Sequence, residues 1–280
     1  MKKILITGSE GFVGKNLIRY LKNYSFKIIE TKDKSLDLKL NESWEQIEKC
    51  DYLIHLAGKS FVPKSWEEPG KFIENNILLI TNALEYCRVH KTKLIFLSSY
   101  LYGNCNNLPI KENSPIEATN PYALSKLLSE KLCYFYKNNF QVKSIILRVF
   151  NLYGPGQPKD FLLSKITNQV KYEKIIKVDS LSPKRDYVYI DDLCSAIVKA
   201  VNYKGHENIF NIGTGKSYSV KEMIDFIQNI YGTSHDIKEK KLIRKNEIIN
   251  TIADIKLAEK ELGWFPIYDI KEGLKIIKNF

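Results

Sequence analysis

Apolar positions recur along this chain in two rhythms. Runs built round a continuous apolar stretch, "KKILIT", "KIIET", "DYLIHLA", "KLIFLSS" and "VKSIILRVF", have strand length. Between them lie stretches with helical spacing: Gly14 to Tyr24, "ESWEQIEKC", Phe72 to His90 with Ile73, Ile77, Ile80 and Leu84 on one face, and Pro121 to Asn138. A strand that is apolar on both faces must be covered on both sides. The alternation therefore predicts an α/β fold, a parallel sheet with helices on each face.

The rhythm changes after Gly154. "YGPGQPKD" is a Gly/Pro loop, and the later segments are shorter and more polar, with "SVKEMIDFIQNIYG" and "DIKLAEKELGW" reading as surface helices. This predicts a larger part over 1–153 plus about 186–213, and a smaller C-terminal lobe over about 154–185 plus 214–280.

Composition adds mainly exclusions. The 280 residues, 44% hydrophobic and 27% charged, can bury a full core. No apolar run approaches the roughly 20 residues of a membrane helix. "MKKILITG" lacks the long apolar region of a secretory signal, so folding from residue 1 in the cytoplasm is expected. Five cysteines without a Cys-x-x-Cys pair predict free thiols rather than disulfides or a zinc ribbon. The net charge of +11 is spread along the chain with no aromatic-interleaved basic stripe, so a nucleic-acid partner is not expected. An anionic small molecule suits the few internal arginines better. His55 ends an apolar strand and reads as packed; His90, His206 and His235 do not cluster with acids or thiols, so no metal is expected. Trp44, Trp66 and Trp264 read as packing residues.

Two patterns carry chemistry. In "ITGSEGFVG", Gly8, Gly11 and Gly14 lead from the first strand into the first helix. Glycines there let the backbone approach a pyrophosphate, and the helix N-terminus offers free N–H groups and positive dipole. The acid that usually holds the ribose 2′-OH falls about 20 residues on. Here that strand ends "IIETKDKS", so Glu30 comes early and Thr31 and Lys32 follow, with Asp37 soon after. Lysine suits a 2′-phosphate, which favours NADP(H), with NAD(H) the alternative. In "PYALSK", Tyr122 and Lys126 stand four apart on one helical face. A neighbouring ammonium is expected to lower the phenol pKa. A serine hydroxyl from "SSYLYG" could hold a substrate oxygen near the same point.

Taken in order, Gly8/Gly11/Gly14, "HLAG", "SSYLYG", "NPYALSK", "RVFNLYGPG", "RDYVYIDDL", "FNIGTG" and "LGWFP" resemble the extended short-chain dehydrogenase/reductase family, specifically its enzymes that modify nucleotide sugars. The resemblance covers nearly the whole chain. It implies a Rossmann-type doubly wound sheet, a nicotinamide cofactor, a nucleoside-diphosphate sugar as substrate, and a homodimer paired through the helix that begins at Tyr122. The face from Ala123 through Leu127 and Leu128 to Leu132 would then be core or dimer seam.

By the same resemblance Tyr122 would be the acid/base, Lys126 its partner and a ribose ligand, and Ser99 the hydroxyl that orients substrate, with Ser98 as the alternative. The implied cofactor contacts are Gly8, Gly11, Phe12, Val13, Gly14, Thr31, Lys32, Asp37, Leu38, Leu56, Ala57 and Gly58, with Asn76 supporting the loop. Tyr100, Asn151, Arg185 and Arg244 are the implied substrate contacts, the last three at the diphosphate. Arginine's planar fork suits phosphate.

The neighbours of the serines bear on the reaction. Relatives that eliminate water usually carry Asp-Glu directly after the catalytic hydroxyl, where this chain has Tyr100-Leu101. Elimination needs that extra acid and base. The favoured expectation is a 4-ketoreductase of an NDP-4-keto-6-deoxyhexose using NADPH. The alternative is a 4-epimerase with tightly bound NAD, and a 4,6-dehydratase ranks third. A dinucleotide-sensing binding module is a further class, disfavoured by the complete Ser/Tyr/Lys set.

Overall fold

The computed structural model describes residues 1–32, 36–242 and 246–280. In chain order the elements begin β1 (Lys2–Thr7), α1 (Phe12–Leu21), β2 (Phe26–Glu30), α2 (Asn41–Glu45), β3 (Tyr52–His55), α3 (Val62–Glu67), α4 (Pro69–His90) and β4 (Lys93–Ser99). There follow α5 (Pro121–Phe140), β5 (Ser144–Val149), β6 (Asn151–Tyr153), α6 (Leu162–Tyr172), β7 (Ile175–Val178) and β8 (Lys184–Tyr189). The chain closes with α7 (Ile190–Asn202), β9 (Ile209–Ile212), β10 (Ser217–Ser219), α8 (Val220–Tyr231), β11 (Asp236–Glu239), a π-helical turn (Ala258–Leu262) and α9 (Ile270–Asn279).

The six-stranded sheet runs β2-β1-β3-β4-β5-β9, parallel throughout. Side chains of a strand alternate between faces. On β1, Ile4 and Ile6 enter one buried cluster, with Ile54, Ile95 and Leu147, while Leu5 enters the other, with Leu53, Phe96 and Ile146. The apolar runs are continuous because both faces are buried. Strand order reverses between β1 and β3, so the connections leaving their C-terminal ends diverge and open a crevice there. This is the doubly wound α/β arrangement expected from the alternation and the resemblance.

Two small sheets, β10-β8-β6 and β11-β7, stand beyond it. Local chemistry fixes the helix starts: Asn120 caps α5 by accepting from the Ala123 N–H at 2.9 Å, and Ser219/Glu222 and Asp269/Glu272 form capping boxes on α8 and α9. Four of the five cysteines are buried and Cys105 is half-buried, all as free thiols. No helix among the described residues is long and apolar enough to cross a membrane.

Three packing expectations change. Trp44 and Trp264 are core, but Trp66 is 47% exposed on α3. The buried stripe of α4 runs through Phe72, Leu79, Ile80, Ala83, Leu84 and Cys87, with Ile73 and Ile77 only half-buried. On α5 the buried side is Ala123, Ser125, Ser129, Glu130, Cys133 and Tyr136, while Leu127, Leu128 and Leu132 are half-buried. The polar members are drawn inward by partners on other elements. Glu130 receives Arg148 of β5 at 2.6 Å, and Ser125 Oγ receives the Asn76 amide at 2.9 Å.

Candidate functional site

A cleft of about 1010 Å³ opens along the C-terminal edge of the sheet. Its floor at one end is the glycine loop. Gly8 has φ +69, and a side chain there would meet the Ala57 nitrogen at 2.8 Å; a Cβ on Gly14 would stand 2.6 Å from the Ser9 carbonyl oxygen. Gly11 is the N-cap of α1 and contributes no side-chain cap, so the first-turn N–H groups face the cleft. Backbone crowded so closely leaves main chain and dipole as the binding surface, which fits a pyrophosphate. Phe12, Val13, Leu56 and Gly58 complete this end of the wall.

The remaining expected cofactor residues lie off the wall. Thr31 Oγ1 donates to the Ile6 carbonyl at 3.4 Å, and Lys32 pairs with Glu30 at 2.8 Å. Asp37 pairs with Lys39 at 3.3 Å, and Leu38 is buried with its carbonyl accepting from Trp44 Nε1 and Asn82 Nδ2. The Ala57 N–H donates to Thr7 Oγ1 at 3.3 Å. Asn76 brackets Lys59, accepting from its N–H at 2.9 Å and donating to its carbonyl at 3.1 Å.

At mid-cleft β4 and α5 bring Ser98, Ser99, Tyr122 and Lys126 together on the wall. Burial pushes the Tyr122 phenol up to about 12, and the Ser99 hydroxyl pulls against this. The direction is opposite to the one expected from the Tyr-x-x-x-Lys spacing, because desolvation by burial is the largest influence on the phenol. Lys126 is itself lowered to about 8, first by burial, with Glu130 opposing. Its Nζ donates to the Leu97 carbonyl at 2.7 Å and lies 5.9 Å from the Tyr122 ring centre. Of the two serines, Ser99 is the one beside the phenol. Ser98 is 5% exposed, and its Oγ has no hydrogen-bond partner among the described residues. His55 is buried beneath this region, its Nδ1 3.0 Å from Thr7 Oγ1 and its pKa lowered to about 3 by desolvation.

The far half of the cleft holds Tyr100, Asn151 and Arg185. The Tyr100 ring stacks on Phe150 at 5.4 Å, and burial raises its phenol to about 12. Asn151 Oδ1 is buried without a partner among the described residues. Arg185 is engaged: it donates to the carbonyls of Lys184 and Ile248 at 2.9 and 2.6 Å and to Glu247 Oε1 at 2.7 Å. Arg244 lies outside the described residues.

Sequence reasoning missed several wall residues: Lys59, Trp66, Glu117, Phe161 and Glu247. Their only signal is position, in connections that follow strands toward the open edge of the sheet.

Comparison with known proteins adds independent findings. The model of the NAD dependent epimerase/dehydratase family matches residues 4–213. The chain is 33% identical to a putative UDP-glucose 4-epimerase of Methanocaldococcus jannaschii, covering 99% of this chain and 97% of the relative. It is 32% identical to the dTDP-4-dehydro-6-deoxyglucose reductase of Escherichia coli, covering 99% and 96%. Among solved structures, RMD from Pseudomonas aeruginosa complexed with NADPH superposes with a TM-score of 0.93 at 26% identity, over 100% of this chain and 98% of that one.

Proposed function

The chain belongs to the NAD dependent epimerase/dehydratase family, and within it we propose a 4-ketoreductase of an NDP-4-keto-6-deoxyhexose. The observation that carries this reading is the wall at mid-cleft: Ser99, Tyr122 and Lys126 converge, while the two residues after Ser99 are Tyr100 and Leu101, the latter 1% exposed. Reduction of a ketone needs a hydride and one proton; elimination needs a further acid and base. The reductase among the relatives, of similar length throughout, and the NADPH-bound neighbour support the same choice.

When bound, the nicotinamide supplies the hydride. Ser99 donates a hydrogen bond to the C4 carbonyl oxygen and fixes its position against Tyr122. The Tyr122 phenol, held protonated by burial, delivers the proton to that oxygen as it becomes an alkoxide. Lys126, anchored on Leu97, places positive charge beside the phenolate left behind and holds the ribose. Gly8, Gly11 and Gly14 hold the pyrophosphate, and Lys32 at the end of β2 favours NADP(H). Asn151 and Arg185 take the substrate's diphosphate.

The test is a set of dTDP- and GDP-4-keto-6-deoxyhexoses mixed with NADPH. Stoichiometric loss of absorbance at 340 nm is expected. The second reading, a 4-epimerase with retained NAD, draws on the 33% relative; interconversion of two NDP-sugars with no net change at 340 nm would establish it instead.

We further propose that 1–153 with about 186–213 forms the dinucleotide half, and that the protein acts in the cytoplasm. We also propose a homodimer through α4 and α5. Its support is exposed apolar surface on that pair: Leu78, Leu124, Tyr134, Phe135 and Phe140, with Tyr134 63% and Phe135 52% exposed. A monomeric mass in light scattering would overturn it.

A further inference from the structure

We propose that Glu247 is an internal counter-ion, occupying on Arg185 the place that the substrate's diphosphate takes, so that substrate binding is an exchange of anions. The inference rests on the reading of Arg185 as a diphosphate contact. Both residues line the cleft, with side chains 16% and 22% exposed, and their 2.7 Å contact uses the guanidinium nitrogen NH2. The other terminal nitrogen is committed to backbone, the carbonyls of Lys184 and Ile248. Main chain therefore holds the guanidinium through one terminal nitrogen, and the carboxylate takes the other.

The backbone carrying Glu247 is pinned as well. Its carbonyl accepts from Asn104 Nδ2 at 3.0 Å, Ile249 N–H donates to Asn104 Oδ1 at 2.9 Å, and the Ile249 carbonyl accepts from Lys184 N–H at 2.8 Å. Release of Arg185 thus needs only a rotation of the Glu247 side chain toward solvent. Without substrate the arginine's charge is balanced rather than left unpaired in a half-buried site, which is costly. A diphosphate offers more negative charge than the single carboxylate and displaces it from that guanidinium nitrogen. As product leaves, Glu247 closes back on Arg185 and favours release. Glu247 acts through Arg185 and is a positioning residue.

The test measures affinity of the NADPH-loaded protein for UDP, dTDP and GDP by calorimetry. In Glu247→Gln the dissociation constant for the preferred nucleotide should fall about threefold to tenfold, the scale of a partly screened ion pair. KM for the NDP-sugar should fall with it while kcat does not rise, and Glu247→Asp should restore the wild-type values. Arg185→Ala should weaken binding, and Arg185→Ala/Glu247→Gln should bind no better than Arg185→Ala. Unchanged or weaker binding in Glu247→Gln overturns the exchange even where Arg185→Ala weakens it. If Arg185→Ala binds like wild type, or no nucleoside diphosphate binds at all, the diphosphate reading of Arg185 falls and the exchange with it. NADPH affinity, read separately, should stay unchanged in every variant.

Discussion

Lys126 Nζ donates to the carbonyl of Leu97 at 2.7 Å, tying the second turn of α5 to the last residues of β4. The bond sets the distance between the helix that carries Tyr122 and the strand that carries Ser99. It also buries an ammonium, which is why Lys126 falls to about 8 from 10.5. Between those values the unfolded chain binds more protons than the folded one, so this residue makes stability rise with pH from about 8 to 10.5. Below 8 both states are protonated and the burial penalty is fully present. Thermal midpoints of wild type and Lys126→Met at pH 7.5, 8.5 and 9.5 should show the variant's relative advantage shrinking as pH rises. A gap that does not change with pH would contradict this.

Tyr122→Phe removes the proposed proton donor and should lower kcat by about 10²–10⁴, with NADPH binding kept within about twofold if it rests on the glycine loop and dipole as proposed. Activity of the wild type should not fall at neutral pH through loss of the Tyr122 proton, since burial holds that phenol near 12.

The two serines should separate cleanly. Ser99→Ala loses the proposed hydrogen bond to the substrate oxygen and should lower kcat/KM by at least about tenfold. Ser98→Ala deletes a buried hydroxyl that has no partner among the described residues, and should leave the denaturation midpoint unchanged or raise it. Greater loss of activity in Ser98→Ala would make it the substrate hydroxyl.

Gly14→Ala places a methyl 2.6 Å from the Ser9 carbonyl oxygen, and the loop must shift. Affinity for NADPH, followed by quenching of protein fluorescence, should drop by more than about tenfold, a loss of ~1.4 kcal/mol. Retained affinity would mean the pyrophosphate lies elsewhere.

Glu130→Ala removes the carboxylate that grips the Arg148 guanidinium, 3% exposed, from 2.6 to 3.2 Å, and leaves its charge only the Tyr102 hydroxyl and the Glu112 carbonyl. Breaking one side of such a pair costs about 3–5 kcal/mol, and urea denaturation should read a loss of that size. A change under about 1 kcal/mol would mean water reaches the arginine.

How far the fold shows through the sequence follows from burial. Five of the six parallel strands are legible because continuous apolar stretches such as "ILI" in β1 and "IIL" in β5 are found where both faces are covered; β9, four residues long, is not. The inward side of α5 is not, because Ser125, Ser129 and Glu130 look like solvent positions until Asn76 and Arg148 are seen to meet them. Strands of three or four residues such as β6 and β10 carry too little pattern to be read locally. Gly8, Gly14, Tyr122 and Lys126 stand on the cleft wall, and their spacing in the sequence singles them out. Glu247 is not singled out, since its partner Arg185 is 62 residues away. The sign of the Tyr122 shift also escaped: spacing gives the neighbour but not the desolvation.

The clasp of Asn76 around Lys59 has a mechanical consequence. One amide holds both the N–H and the carbonyl of a single residue, and the same nitrogen reaches Ser125 at the foot of α5. That wall of the cleft is riveted to the tyrosine helix at this point. Any breathing of the rim that bears Trp66 must pivot beyond Lys59, at Ser60 and Phe61, so amide hydrogen exchange should accelerate sharply across that boundary while the Lys59 N–H stays protected.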